Sequence, residues 1–425
     1  MVAKKSAAKA QLRVGYARRE ITPSLPFPMA GYATRTERLA DTVRDPLTAR
    51  AAVFSAGGKQ AALVSVDLLL ISLPLRDAVA RAVRDAGVNL DGLLLSATHT
   101  HSAAGGFVEG DSARLFMGGY RPALLAELTE KIAGAVIAAA GDLQPATLRH
   151  GTAETVGLNW NRRHPDGPID RRMTVTTVQR GKKNLRLISF GAHPVIVSER
   201  EYNTASACWP GELTKSFEAE GDEAMFIVGP VGGVNVLFPE GPMELDVHLA
   251  LVNRLMREQV DRAIAADEPL TDEPVVAFAE ADVPLRVVLP RLLPARLAWL
   301  DTALTPLRMY ARHFGRSTMP DRAGTFVPVL RVGRVIFTGF PADLGAGVGL
   351  AVRRSIEQHG YRAGAVASQT GDYVGYVHLP EDYEQLPKGD RDALQLTVYE
   401  NAMAFFGRDT GLKLLDGFKL ALAAV

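Results

Sequence analysis

Apolar positions along the chain follow two rhythms. Short, nearly unbroken apolar runs bounded by Gly, Pro, Asn or Asp predict buried strands over residues 12–16, 51–54, 60–67, 92–97, 174–180, 184–190, 224–228, 327–340 and 363–368. Longer stretches with apolar residues at helical spacing predict helices over 75–86, 122–140, 243–265, 347–358 and from about residue 393 onward. Glycine turns join three strand pairs into hairpins, at Gly57-Gly58, at Gly181-Lys182-Lys183 and at Val332-Gly333-Arg334. The order strand 60–67, helix 75–86, strand 92–97 predicts a crossover between parallel strands. The expected class is α/β: a large mixed β-sheet core with parallel crossovers and hairpins, and helices on its faces. No repeat, low-complexity tract or linker interrupts it, so a single domain over 12–425 is the simplest account. Residues 1–11, rich in Lys and Ala, read as a disordered tail without the apolar stretch of a secretory signal. Residues 287–320 stand apart. Leucines and arginines crowd 292–313, which reads as a helical insertion, either a lid over the sheet or an ordinary surface helix pair.

The chemistry starts where the run Leu93-Leu94-Leu95-Ser96-Ala97 ends in Thr98-His99-Thr100-His101-Ser102. Ligands in open α/β sheets bind just outside the carboxyl ends of strands. Alternate strand residues share a side, which lets His99 and His101 converge. The same crossover brings Asp67, at the end of its own strand, near the imidazoles. His193 follows the strand 184–190 and Asp343 follows 327–340, so four metal-ligating residues each stand just past a strand. A catalytic zinc takes about three protein ligands and keeps one position open for water, whose pKa it lowers to near 7. The implied reaction is hydrolysis of a carbonyl compound. It requires His99 and His193 to lie within about 5 Å of each other. The remaining histidines (150, 164, 248, 313, 359 and 378) lack this context and read as structural or surface residues.

Composition narrows the partners. The 425 residues carry a net charge of +1, which speaks against nucleic acid or an anionic membrane as the main partner. No stretch of 18 apolar residues exists to span a bilayer. The single cysteine, Cys208, excludes an intrachain disulfide, and a buried free thiol is inert more often than not. There is no Gly-x-Ser-x-Gly elbow, Walker sequence or dinucleotide fingerprint. The Asp-His pair of a metallo-β-lactamase-like site is missing after His101. A (β/α)₈ amidohydrolase would place its His-x-His after the first strand, not after several.

Several pieces, in order, resemble the neutral/alkaline, non-lysosomal ceramidases. They are Ile21-Thr22-Pro23; Pro28-Met29-Ala30-Gly31-Tyr32; Val64-Ser65-Val66-Asp67; Ala97-Thr98-His99-Thr100-His101-Ser102; Asn161-Arg162-Arg163; Phe190-Gly191-Ala192-His193-Pro194; and Tyr373-Val374-Gly375-Tyr376. The resemblance implies a ceramidase-like α/β catalytic domain with one Zn²⁺ that hydrolyses the amide of an N-acyl sphingosine. It implies zinc ligands at His99, His193 and Tyr376, with Asp343 in Pro341-Ala342-Asp343 standing where the family has a glutamate. His101 resembles the histidine that faces the substrate and handles protons, and Arg162 the arginine that contacts it. Tyr399 corresponds to a second active-site tyrosine, at a longer spacing than in the family.

The sequence also departs from the family. Cys208 replaces an aspartate in Ser206-Ala207-Cys208-Trp209-Pro210-Gly211. Gly232-Gly233-Val234-Asn235-Val236 lacks the usual acidic residue, and the chain stops where the family's immunoglobulin-like domain would start. The leading expectation is a zinc-dependent amidase acting on a small-molecule or lipid-like N-acyl substrate. The rivals are a zinc lactonase or esterase for a smaller polar substrate and a non-catalytic binding protein on the same scaffold. Oligomeric state and compartment are left open by the sequence.

Overall fold

The computed structural model describes residues 11–32, 38–110, 113–271, 274–318, 323–385 and 391–425. Of the expected tail, residues 1–10 fall outside that set. Strand β1 (Arg13–Glu20) pairs antiparallel with β2 (Thr48–Ala56), which turns into β3 (Lys59–Val66). The turn residues Gly57 and Gly58 have φ of 59° and 79°, the left-handed pair that a tight hairpin needs. Helix α1 (Leu73–Asp85), capped by the Ser72 hydroxyl, crosses to β4 (Gly92–Ala97), which runs parallel to β3.

The first half continues through α2 (Pro122–Gly141), β5 (Gln144–Glu154), β6 (Arg172–Arg180), β7 (Lys183–Phe190), α3 (Cys208–Glu218), β8 (Glu223–Val228) and α4 (Leu245–Ala265). These strands form one mixed sheet in the order β8-β7-β6-β5-β1-β2-β3-β4, with Glu268–Leu270 added against β5 to make nine. A second, four-stranded sheet follows in the order β9 (Val276–Pro284), β10 (Gly324–Val332), β11 (Val335–Gly339), β12 (Arg362–Ala367). A 3-10 helix (Ala295–Thr302) and α5 (Thr305–Thr318) lie between β9 and β10. Helix α6 (Ala346–Gln358) links β11 to β12, and α7 (Arg391–Ala402) and α8 (Thr410–Ala423) close the chain.

The layers run helix, sheet, sheet, helix. Along β3, Ala62, Val64 and Val66 face α1 and α2, while Ala61 and Leu63 face the second sheet with Phe337 and Leu330. On β7, Ile188 and Phe190 face α3 and α4, while Leu185 and Leu187 enter the layer between the sheets. The outer face of the second sheet packs on α6 and α8 through Val327, Val352 and Phe418. Burial on both faces is why the strands of the large sheet read as unbroken apolar runs. The expected α/β class and the three hairpins stand as read. Among the longer elements, β5, β9 and α3 go beyond that reading, as does the short Glu268–Leu270 strand.

Candidate active site

The carboxyl ends of the parallel strands β4, β7, β11 and β12 meet at one edge. Backbone bonds fix the meeting: Ala97 N–H donates to Gln369 O at 3.1 Å, and Gly371 N–H donates to Leu95 O at 2.9 Å. The loop after β12 is thereby tied to the tip of β4, at the place where open α/β sheets bind ligands.

Strand β4 ends at Ala97, so His99 and His101 do not converge by strand alternation. His99 instead sits in a left-handed conformation, φ 66°, anchored by its own N–H to Leu68 O at 3.0 Å. A non-glycine residue held there is uncommon, and such strain gathers at functional sites. His99 Nδ1 donates to Leu69 O at 2.7 Å, and His193 Nδ1 to Val234 O at 2.7 Å. A carbonyl oxygen only accepts, so each Nδ1 carries a proton, and in the neutral ring it is Nε2 that presents a lone pair. Burial foremost, with Arg162 and the other two imidazoles, pushes His193 well below the usual histidine range, so it is neutral at pH 7.

Those lone pairs meet a carboxylate. Asp343 Oδ1 lies 3.1 Å from His99 Nε2 and 4.0 Å from His193 Nε2, while Asp343 Oδ2 accepts from Tyr373 Oη at 2.8 Å. His193 Nε2 and Asp343 Oδ1 are buried and make no hydrogen bond. Three acceptors aimed at each other in a dry site repel unless a cation lies among them. Ligands about 2 Å from one tetrahedral ion lie roughly 3.3 Å apart, a spacing these atoms approach. His101 completes the group: its Nε2 is 3.3 Å from His99 Nε2, and the ligand atoms of His99, His101 and His193 all fall within 4.8 Å of one another. The centroids of the His99 and His193 rings are 4.9 Å apart, inside the limit the zinc reading set. Two nitrogens and one carboxylate, with a phenol beside them, form a donor set suited to Zn²⁺.

Tyr376 reaches this edge because Asp343–Leu344 and Tyr376–Val377 pair as short parallel strands, with Asp343 opposite Tyr376. Its oxygen accepts from Arg162 Nη2 at 3.1 Å. Burial foremost, then Asp343, pushes the Tyr376 phenol well above its ordinary range, so a nearby cation is needed to draw off its proton. Arg162 is further held by Glu400 Oε1 at 2.9 Å and Asn235 Oδ1 at 3.2 Å, and it is not among the residues that line the cavity. Glu400 escaped the sequence reading. Its buried carboxylate takes Arg162 on one oxygen and Arg163 and His378 on the other, at 2.9 and 3.1 Å. Burial opposes its charge, yet the two guanidiniums and His378 hold the carboxyl well below the usual range. His378, expected to be structural, supports the site from behind through this contact.

Two further expectations resolve differently. The Asp67 carboxylate does not turn to an imidazole; it accepts from Thr48 N and Oγ1 and from Thr98 Oγ1, fixing the turn that precedes His99. Cys208 is buried and outside the metal-competent cluster found among the described residues. Burial pushes its thiol up to about 12, so it is no nucleophile at neutral pH.

Above the metal-competent group opens a cavity of about 420 Å³. His99, His101 and Asp343 lie at its polar end, and Leu69, Leu70, Val108, Phe116, Met117 and Phe314 supply apolar walls. Tyr373, Tyr376 and Tyr399 also face it, with the Tyr376 and Tyr399 rings edge to face at 5.7 Å.

Fold and site define an α/β protein with a metal-competent cluster of three histidines, next to the Asp343 carboxylate, at strand carboxyl ends beneath an apolar cavity. Residues 12–165 match the family model described as neutral/alkaline non-lysosomal ceramidase, N-terminal, so the resemblance seen in the motifs holds. A curated relative, a neutral ceramidase of Mycobacterium tuberculosis, is 27% identical over 195 residues. That match covers 41% of this chain and 30% of the relative, so it spans about a third of the relative's length. The crystal structure of neutral ceramidase from Pseudomonas aeruginosa superposes with a TM-score of 0.80 at 19% identity, over 98% of this chain and 75% of that one. A structure described as ceramidase complexed with C2 gives 0.77 at 18% identity, over 97% of this chain and 74% of that one. The fold is therefore that of the neutral ceramidases over nearly the whole chain.

Proposed function

We propose that this chain is a zinc-dependent hydrolase that cleaves the amide bond of an N-acyl substrate, as its ceramidase-like sequence and fold suggest. The observation that carries the reading is the convergence of His99 Nε2, His193 Nε2 and Asp343 Oδ1, two of them buried without a hydrogen bond, at the floor of an apolar cavity. His99, His193, Asp343 and Tyr376 would hold the ion. When bound there, zinc supplies Lewis acidity and a water acidic enough to react at neutral pH.

The protein's own groups do the rest. The Nδ1 bonds to Leu69 O and Val234 O keep both imidazoles in the ligating tautomer. His101, half-buried beside them, moves the proton from the attacking water to the leaving amine. Arg162 keeps positive charge on the Tyr376 oxygen side of the site, where the amide oxygen becomes negative. Tyr399 adds a hydroxyl-bearing ring to the cavity wall. The apolar walls take the acyl chain and leave little water around the scissile bond.

The experiment is His99→Ala with metal analysis and a substrate panel of N-acyl amides, esters and lactones. The wild type should hold one zinc and turn over long-chain amides fastest, and the variant should lose both metal and turnover. Zinc content and hydrolysis that survive the substitution would sink the reading.

A further inference from the structure

Fourteen large apolar side chains are exposed among the described residues, and five of them, Val288, Trp299, Leu307, Met309 and Tyr310, fall within one short segment of chain. That segment is the excursion between β9 and β10. On α5, Ala311 and Phe314 are buried, while Leu307, Met309 and Tyr310 are exposed. Trp299, on the preceding 3-10 helix, is 72% exposed. A folded protein gains nothing from holding such groups in water, and a concentration of them marks a contact surface.

The charge of the segment says what it contacts. Residues 286–316 contain six arginines and one acid, Asp301, which is buried and accepts from Leu292 N. Arg286, Arg291, Arg296 and Arg316 are exposed, although the whole chain carries only +1. Indole, thioether and phenol groups interleaved with guanidiniums match the boundary of a bilayer, where apolar groups sink below the headgroups and arginines pair with phosphates. A protein partner would need polar acceptors in a fixed pattern, whereas a lipid surface needs only this composition on one face. Position adds to the case: Phe314, on the same helix, lines the cavity and packs edge to face on Phe116 at 5.2 Å. One helix thus carries both a residue of the cavity wall and exposed apolar side chains.

We propose that the exposed apolar and arginine side chains of the 3-10 helix and α5 dock on a bilayer surface bearing anionic headgroups and so set the cavity against its lipid. The proposal runs against the expectation, drawn from net charge alone, that an anionic membrane is no main partner. It also gives the segment a docking role in place of the lid or plain helix pair read from sequence.

The test is sedimentation of the full chain with phosphatidylcholine vesicles, with and without phosphatidylglycerol. Binding should require phosphatidylglycerol and weaken as salt is raised. The double variant Arg296→Gln/Arg316→Gln should bind about tenfold more weakly or worse. Trp299→Ala/Met309→Ala should also release the protein, and the wild type's tryptophan emission should shift to the blue on binding while that of Trp299→Phe does not. All these residues are exposed and outside the cavity lining, so thermal midpoints and hydrolysis of a soluble short-chain N-acyl substrate should be unchanged. Wild type that ignores anionic vesicles, or variants that bind as well as it does, would overturn the docking proposal while leaving the hydrolase reading intact. Vesicle binding without any hydrolysis would do the reverse.

Discussion

Glu400 shows how one residue can organise a site it does not line. It has no exposed surface, yet it holds three donors: Arg162, Arg163 and His378. Arg162 in turn holds the Tyr376 oxygen and the Asn235 side chain, so the carboxylate on α7 determines where the phenol beside Asp343 stands. Glu400→Gln keeps the shape and removes the charge. Arg162 and Arg163 then remain buried without their counter-ion, which costs about 3 kcal/mol by the usual penalty for breaking a buried pair. We expect a lower denaturation midpoint and a kcat reduced about 10- to 100-fold, the range for residues that support ligands from behind. KM should move little, because Glu400 does not face the cavity. A variant with wild-type kcat would show that Tyr376 keeps its place without this support. Legibility differs among the site residues for a physical reason. His99, His193 and Asp343 each follow a strand, so topology alone placed them at one edge. Glu400 sits in the last turn of α7, between Tyr399 and Asn401, where a glutamate ordinarily faces water, and only the tertiary fold reveals the two arginines that wrap it.

At the scale of elements, the legible parts were those whose burial is uniform. Strand β4 was read with its observed ends, and the three hairpins turn at the glycines that sequence marked. The missed strands are mixed in burial: β5 carries exposed Pro145, Thr147 and Glu154 among half-buried and buried positions, and β9 is buried only at Val276 and Val283. Such strands resemble loops until their partners are known. Helix α3 opens with Cys208-Trp209-Pro210-Gly211, which reads as a turn, although proline in a helix's first turn is well tolerated. Strand glycines carry a second lesson. A Cβ on Gly15 of β1 would stand 1.8 Å from Ala139 O of α2, and one on Gly151 of β5 would stand 1.9 Å from Ala263 O of α4. Near the end of each helix, a backbone carbonyl rests directly on a strand, and neither backbone nor carbonyl can swing aside. Gly15→Ala should therefore cost about 1–3 kcal/mol by forcing α2 off the sheet. Gly57→Ala, in open space on a hairpin turn, serves as a comparison whose cost is conformational strain alone. Chemical denaturation of the two variants decides it: an unperturbed Gly15→Ala protein would mean that α2 can slide without loss.

For the molecule as a whole, the acid limb of stability follows from histidines buried in the neutral form. His150 on β5 is the best placed to test it, since it lies far along the chain from every proposed ligand. Its Nδ1 bonds Thr176 Oγ1 of β6 at 3.0 Å, and Glu268 stands opposite it in the ladder. Burial foremost, then the positive charges of Arg362 on β12, Arg353 on α6 and Arg172 on β6, push its pKa down from 6.5 to about 4. The sign follows directly. Between pH 6.5 and 4 the unfolded chain binds a proton at this site and the folded one does not, so stability falls as pH falls through that window. The contribution is complete above pH 6.5, and below about 4 both states are protonated and the loss stops. A displacement of that size corresponds to about 3 kcal/mol. His248 and His378 are lowered by burial in the same direction, so the wild type should lose more than this alone. His150→Gln keeps a polar group beside Thr176 and removes the titration. Urea denaturation at a series of pH values should give the variant a shallower decline than the wild type between pH 6.5 and 4, with the two curves parallel above pH 7. Equal slopes through the acid window would mean that His150 takes up its proton in the fold, and that the arginines around it are screened more than their burial implies.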